Sequence, residues 1–245
     1  MNVNSNGYVL GFAVAVCVVI SAGLAATATA LKPAQEAAAE FDRQKNVMMA
    51  AGLVQEGDLR SRPELEALYK QRVREQVVDL ETGAVDPAKT PADVAAMKDP
   101  KDKARYRAIA VGVDAKGAEE TFVLPISGKG LWSTLYGYLA LEKDANTIRG
   151  LTFYQHAETP GLGGEVDNPS WKAQWPGKTI LDEQGKLVSI TVKKGKVDAS
   201  IANEKAHYVD GLSGATITCN GVNRFVRADL TAFKSFLSRY WKKKK

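Results

Sequence analysis

Charge is missing from the start of this chain: no Asp, Glu, Lys or Arg precedes Lys32. From Tyr8 to Leu31 nearly every residue is apolar or small, about 24 in a row, enough to cross a hydrocarbon core of about 30 Å as a helix. Ala28-Thr29-Ala30 resembles a signal-peptidase site, but the run is long for a signal and has no basic residue before it. A retained anchor over residues 1–31 is therefore expected. Cysteine is equally scarce. Cys17 and Cys219 are the only two, one in the apolar run and one near the C-terminus, which excludes a disulfide framework. No Cys-x-x-Cys-His haem site and no paired Cys/His metal site exists, and His156 and His207 lie far apart in sequence. No Gly-x-Gly-x-x-Gly follows a strand, so no NADH site is expected. The net charge of +5 is mostly the Lys242 to Lys245 tail, read as a solvated end. The rest of the chain is nearly neutral, which argues against a nucleic-acid partner.

What remains is an ordinary globular composition, 45% hydrophobic and 25% charged over 245 residues, enough for one domain with a small addition. Ala34 to Met49 reads as a helix continuing out of the apolar run and ending near Gly52. Glu64 to Val77 reads as an amphipathic helix with Leu65, Leu68, Tyr69, Val73 and Val77 on one face. Asp79 to Asp102, rich in Pro, Asp and Ala, reads as a surface loop. Strands are expected at Tyr106 to Val113, Glu119 to Ile126 (ending at Pro125), Tyr136 to Leu141, Ile148 to Tyr154 and Leu187 to Val192. Residues 32–104 thus form a helical and loop segment, and 105–245 a domain closed by a helix. That helix shows Val222, Val226, Leu230, Phe233, Leu237 and Tyr240 at three- and four-residue steps, with Thr218 or Asn220 as its N-cap. Lys32, Arg43 and Lys45, the basic residues nearest the apolar run, lie on its C-terminal side and by charge alone favour a cytoplasmic body.

Three segments carry candidate chemistry. Asp210-Gly211-Leu212-Ser213-Gly214-Ala215-Thr216-Ile217-Thr218 packs three hydroxyls around small residues just before a helix, where free N–H groups favour phosphate. From residue types alone an ordinary turn before a capped helix is the commoner explanation, since hydroxyls often precede helices. Ser127-Gly128-Lys129-Gly130-Leu131-Trp132-Ser133 allows a sharp turn and offers Trp132 as a flat face for a ring, or as a core residue. His156-Ala157-Glu158-Thr159-Pro160-Gly161-Leu162-Gly163-Gly164-Glu165 is rich in turn formers and follows a strand directly. His156 is either a proton donor or a hydrogen-bonded structural residue.

Asp210 to Thr216 resembles the flavinylation motif, Asp-x-x-Ser/Thr-Gly-Ala-Thr, of the FMN-binding domain family. The other two segments resemble that family's Gly-x-Gly-Leu-Trp and His-x-Glu-Thr-Pro-Gly-Leu-Gly segments. With the anchor and the post-anchor stretch Phe41 to Val47, the whole is similar to the C-subunit family of the bacterial Na⁺-translocating NADH:quinone oxidoreductase. The resemblance implies an α+β fold, an N-terminal transmembrane helix followed by a single mixed α+β FMN-binding domain. It implies FMN held covalently as a phosphoester on Thr216, within a motif formed by Asp210, Ser213, Gly214 and Ala215. It places Gly130, Leu131, Trp132, Ser133, Glu158, Thr159, Pro160, Gly161, Leu162, Gly163 and Thr218 at the flavin. It implies the other subunits of that complex as partners, a Mg²⁺-dependent flavin transferase for maturation, and single-electron relay from NADH toward ubiquinone coupled to Na⁺ export. The chain would sit in the inner membrane by one span, with its body in the periplasm, against the charge pattern. The G-subunit family of the Rnf electron-transport complex is the nearest alternative, but the long region from Asp58 to Asp102 favours the C-subunit family. An acyl-transfer enzyme using Ser213 or Thr216 lacks a Gly-x-Ser-x-Gly elbow. An anchored non-redox binding module, its hydroxyls merely capping a helix, is the third alternative.

Overall fold

A computed structural model describes residues 5–241; the lysine tail at 242–245 lies outside them. Helix α1 (Asn6–Ala50) runs without a break through Pro33, as the apolar run and its continuation require. Up to Asp42 it forms a compact unit by itself; residues 43–245 form the second unit. Gly52, with φ of 69°, ends the helical course.

The second unit is built on one antiparallel sheet in the order β2-β1-β3-β4-β5-β6. After helix α2 (Arg62–Arg72), its strands are β1 (Val73–Asp79), β2 (Ala84–Val85), β3 (Tyr106–Val113), β4 (Glu119–Lys129), β5 (Thr134–Glu142) and β6 (Ile148–Gln155). Helices α3 (Pro91–Ala96) and α4 (Pro100–Arg105) interrupt them between β2 and β3. A 3₁₀ turn (Gly163–Asp167) and helix α5 (Pro169–Lys172) follow β6. Strand β7 (Thr191–Val192) pairs in parallel with β8 (Tyr208–Val209), which helix α6 (Ala202–His207) precedes. Helices α7 (Thr216–Ala232) and α8 (Lys234–Leu237) close the chain.

The alternation of the strands divides the core. Phe122, Leu124 and Ile126 of β4 and Leu139 and Leu141 of β5 join one buried cluster with Val222, Phe225, Val226, Leu230, Phe233 and Phe236 of the C-terminal helices. Thr121, Val123, Tyr138 and Ala140 are buried on the opposite face. There the end of α1 lies on β6: a Cβ on Gly150 would meet the Ala50 carbonyl at 2.4 Å. Arg43 donates to Glu75 at 2.5 Å, and Tyr69 donates to the same carboxylate at 2.5 Å.

Four expectations are corrected. The helix expected to reach Val77 stops at Arg72, because Val73, Val77 and Val78 enter the ladder with β3, where β-branched side chains pack best. The loop from Asp79 to Asp102 contains β2 and two proline-started helices capped by Thr90 and Asp99, and Asp79 itself is buried against Arg105. Strand β4 does not end at Pro125 but continues to Lys129. Its ladder with β3 ends at Val123, two residues before Pro125, which has no N–H, while pairing with β5 runs on. The strand expected over Leu187 to Val192 shrinks to two residues because Ser189 takes φ of 66°. Strand β1, within residues 32–104, pairs with β3, within residues 105–245.

Where β3 leaves β4, helix α7 supplies the missing acceptor. Asp229 accepts the Ser127 N–H at 2.9 Å. Burial raises the Asp229 carboxyl above its ordinary value; the Ser127 N–H and Arg107 pull it down without overcoming that. A raised acid binds its proton more tightly in the folded state, so this group opposes folding above its folded pKa and the penalty fades as the pH falls toward the unfolded value. Asp229→Asn keeps an acceptor without the charge and is expected to leave stability at pH 7 unchanged or raise it by up to about 1 kcal/mol. Asp229→Ala strands the Ser127 N–H and is expected to lower stability by about 1–3 kcal/mol. Urea unfolding of both variants at pH 7 checks this.

Candidate functional site

Three segments distant in sequence meet at the end of the sheet's strands where β4 turns into β5. The Gly130–Ser133 turn leaves β4, the loop 156–163 leaves β6, and the start of α7 abuts both. The contact is a buried carboxylate. Glu158 is 5% exposed. It accepts the N–H groups of Leu131 at 3.2 Å, Trp132 at 3.0 Å and Ser133 at 3.0 Å. The Ser133 hydroxyl at 3.3 Å and the Thr218 hydroxyl at 2.6 Å complete its shell. His156 accepts the Glu158 N–H at 3.3 Å through Nδ1, and the Ala157 N–H donates to Ser133 at 2.8 Å. His156 therefore sits in the turn as a hydrogen-bonded residue, and His207 is bonded to the Thr179 carbonyl 2.6 Å away.

Burial by itself would raise the Glu158 carboxyl, but the donors from Thr218, Ser133, Trp132 and Leu131 outweigh it and hold it at about 2. The packing around the clamp leaves no slack. A Cβ on Gly163 would fall 2.6 Å from the Thr218 hydroxyl and 2.9 Å from the Glu158 carboxylate. Gly214 takes φ of 70°, and its missing Cβ makes room for the Leu162 side chain, which would otherwise be met at 2.6 Å.

The structure places Thr216 as the first residue of α7, exposed, after Ala215 as N-cap. This corrects the expected cap at Thr218 or Asn220: the helix starts earlier, and the Thr218 hydroxyl is committed to Glu158 instead. Ala215 has no capping oxygen, and among the described residues no side chain caps the helix, so its first-turn N–H groups lack a side-chain acceptor. The three segments that meet at Glu158 carry large apolar side chains open to solvent: Trp132 is 67% exposed, Ile217 56%, Leu162 44% and Leu131 41%. Trp132 is thus no core residue. Thr159, Pro160, Gly161 and Ser213 are exposed or nearly so, while Gly163 and Ala215 are buried. Exposed flat and branched apolar groups on the segments joined at Glu158, with an exposed hydroxyl and helix N–H groups that lack a side-chain cap, fit a molecule with an aromatic ring at one end and a phosphate at the other.

Asp210 does not face Thr216. Its carboxylate accepts the Val197 N–H at 2.7 Å, its carbonyl accepts from the Trp171 indole at 2.8 Å, and its N–H donates to Gln174 at 2.9 Å. The motif's acid thereby fastens the turn at 193–197 beside the hydroxyl turn. Sequence reading missed Trp171, Gln174 and the Lys193-Lys194-Gly195-Lys196 turn; only the glycine among lysines marked that turn.

The FMN-binding domain family model matches residues 130–231, from the Glu158-bound turn to the end of α7. Fold and site together define an FMN-binding domain carried behind a helix of membrane-spanning length. The chain is 42% identical to the C-subunit of the Na⁺-translocating NADH-quinone reductase of Pseudomonas aeruginosa over 97% of both chains. It is 38% identical to that of Pasteurella multocida, over 84% of this chain and 82% of the relative. The crystal structure of Shewanella oneidensis NqrC superposes with a TM-score of 0.68 at 32% identity, covering 83% of this chain and 98% of that one. The chain belongs to the NqrC family, the C-subunits of Na⁺-translocating NADH-quinone reductases.

Glu158→Gln swaps an acceptor oxygen for a donor facing donors and is expected to lower stability at pH 7 by about 2–4 kcal/mol. Because the carboxyl is lowered in the folded state, its contribution is present above the unfolded value and lost as the pH falls toward 2. The gap in melting temperature between Glu158→Gln and the unaltered protein should therefore narrow as the pH drops below about 4.5. Scanning calorimetry from pH 7 to pH 3 checks both.

Proposed function

We propose that this chain carries FMN as a phosphoester on Thr216 and relays single electrons between NADH and ubiquinone within the Na⁺-translocating NADH:quinone oxidoreductase, coupled to Na⁺ export. The observation that carries this reading is the position of Thr216. It is an exposed hydroxyl on the first residue of a helix without a side-chain cap, two residues before Thr218, whose hydroxyl shares Glu158 with the turn that carries the exposed Leu131 and Trp132. An NqrC relative 42% identical over 97% of both chains supports the complex in which the chain works.

Bound flavin supplies the redox chemistry. The chain's residues hold and aim it. The Thr216 oxygen would form the ester bond to phosphorus, displacing the adenylate half of FAD in a reaction run by a separate flavin transferase. The first-turn N–H groups of α7 stabilise the phosphate oxygens. Trp132, Leu131 and Leu162 offer apolar surfaces to the ring, and the backbone of the 131–133 turn is fixed from beneath by Glu158. Glu158 and Thr218 are in this reading positioning residues, not ligands, because their polar atoms are spent on one another. The helix through residues 8–31 holds the domain at the inner membrane, with the domain in the periplasm. There a covalent tether keeps a cofactor that would otherwise diffuse away. With no dinucleotide fingerprint of its own, the isolated chain is expected not to oxidise NADH.

Co-produced with a flavin transferase, the chain should fluoresce in a denaturing gel, and Thr216→Ala should abolish that signal while leaving stability within about 1 kcal/mol, since an exposed hydroxyl is lost. Flavin mapped to Ser213 or Thr218 in the variant would overturn the assignment. Trp132→Ala should keep the flavin attached but change its visible spectrum or midpoint potential; spectroelectrochemistry reads both. Intact mass of the native protein should include residues 1–31, and a mature N-terminus near Leu31 would refute the anchor.

A further inference from the structure

Beside Thr216, on the side of the 193–197 turn, lies a groove of about 660 Å³. Its polar lining is Lys193, Lys194, Lys196, Ser213, Thr216 and Asn220; no Asp or Glu lines it. Lys193 is neutralised by Glu204 at 2.5 Å. Among the described residues, Lys194 and Lys196 have no ion-pair partner, and both are exposed. The backbone holding them is rigidly tied: the Lys193 N–H donates to the Val209 carbonyl at 2.9 Å, the Gly211 N–H to the Gly195 carbonyl at 2.8 Å, and the Val197 N–H to Asp210 at 2.7 Å. A Cβ on Gly211 would lie 2.2 Å from the Lys193 carbonyl, so the lysine turn and the hydroxyl turn are in direct backbone contact.

Two unpaired ammonium groups in a concave site without a carboxylate select an anion, and the hydroxyls and amide beside them are suited to phosphate oxygens. We propose that this groove is the seat of the phosphate ester of a flavin nucleotide, with Lys194 and Lys196 as its cationic contacts. Asp210 serves as the residue that positions them. The inference rests on the Thr216 reading, since it takes Thr216 as the point where phosphate arrives. Two sources share the chemistry: the phosphodiester of attached FMN, and the pyrophosphate of the incoming FAD.

The test uses the full chain made without a flavin transferase, and Lys194→Gln/Lys196→Gln compared with a control of equal charge, Lys98→Gln/Lys116→Gln, at positions outside the groove lining. Affinities for FMN, FAD and riboflavin are measured by fluorescence titration at low and high salt. The unaltered chain and the control should bind FMN and FAD more tightly than riboflavin. In the groove variant that preference should fall about tenfold, with riboflavin affinity unchanged, because each exposed ion pair is worth up to about a fivefold change. Phosphorus NMR of the chain flavinylated by the transferase separates the sources. If the resonance differs between the groove variant and the control, the attached ester sits at the lysines. If only free FAD binding weakens, the groove serves the donor. Equal preference for FMN and riboflavin in the unaltered chain, or equal losses in variant and control together with an unchanged phosphorus signal, overturns the proposal. Peptide mapping in the same samples reports the attachment residue separately, so flavin found on Ser213 or Thr218 would sink the Thr216 reading without deciding the groove.

Discussion

The buried carboxylate of Glu158 is the constraint on which the site depends. A charged group at 5% exposure is tolerated only if its oxygens are fully bonded. Here three consecutive backbone N–H groups and two hydroxyls do this, and they come from two segments, the 131–133 turn and the first turn of α7. Bringing the carboxylate in therefore forces these two and its own loop to one point. The proximity of the turn after β4, the loop after β6 and the helix start is a consequence of satisfying one side chain.

That junction needs a stiff support, and the sheet with α7 across it provides one. Phe225, Val226 and Leu230 bury one face of the helix against β4 and β5, which fixes the helix axis. Asp229 adds a directional bond to the strand where the ladder with β3 has ended. With the axis fixed, the position of Thr216 on the first turn is fixed as well. The exposed side chains of Leu131 and Trp132 sit on a backbone already held by Glu158.

The same economy explains why the apolar groups at the site remain open to solvent. Trp132 and Leu162 sit on turns whose own N–H and C=O groups are bonded to Glu158, Ser133 and each other, so the turns hold their shape without burying those side chains. A rigid loop that presents apolar surface is prepared to receive a flat ligand with little ordering on binding. In the proposed reading a tether at Thr216 and a ring against Trp132 exploit that preparation, and the lysine turn secured by Asp210 supplies the charge for the link between them.

Much of this was legible in the residues. The uncharged run fixed α1, because about 30 Å of hydrocarbon length leaves few alternatives for so apolar a stretch. Alternation located β3, the apolar stretches Tyr136 to Leu141 and Ile148 to Tyr154 located β5 and β6, and the spaced apolar residues after Asn220 located α7. The three motif segments are the ones the fold brings together at Glu158. Other features lay beyond local reading. Residues 73–77 suit a helix face as well as a strand, and only the ladder with β3 chose between them. Pro125 was compatible with β4 because its missing N–H falls where β3 has already left, a fact of register. The roles of Glu158 and Asp210 were set by where their oxygens end up, on backbone donors 25–27 and 13 residues away. Sequence determines which groups must be bonded when buried; only the packed chain decides which distant donors reach them.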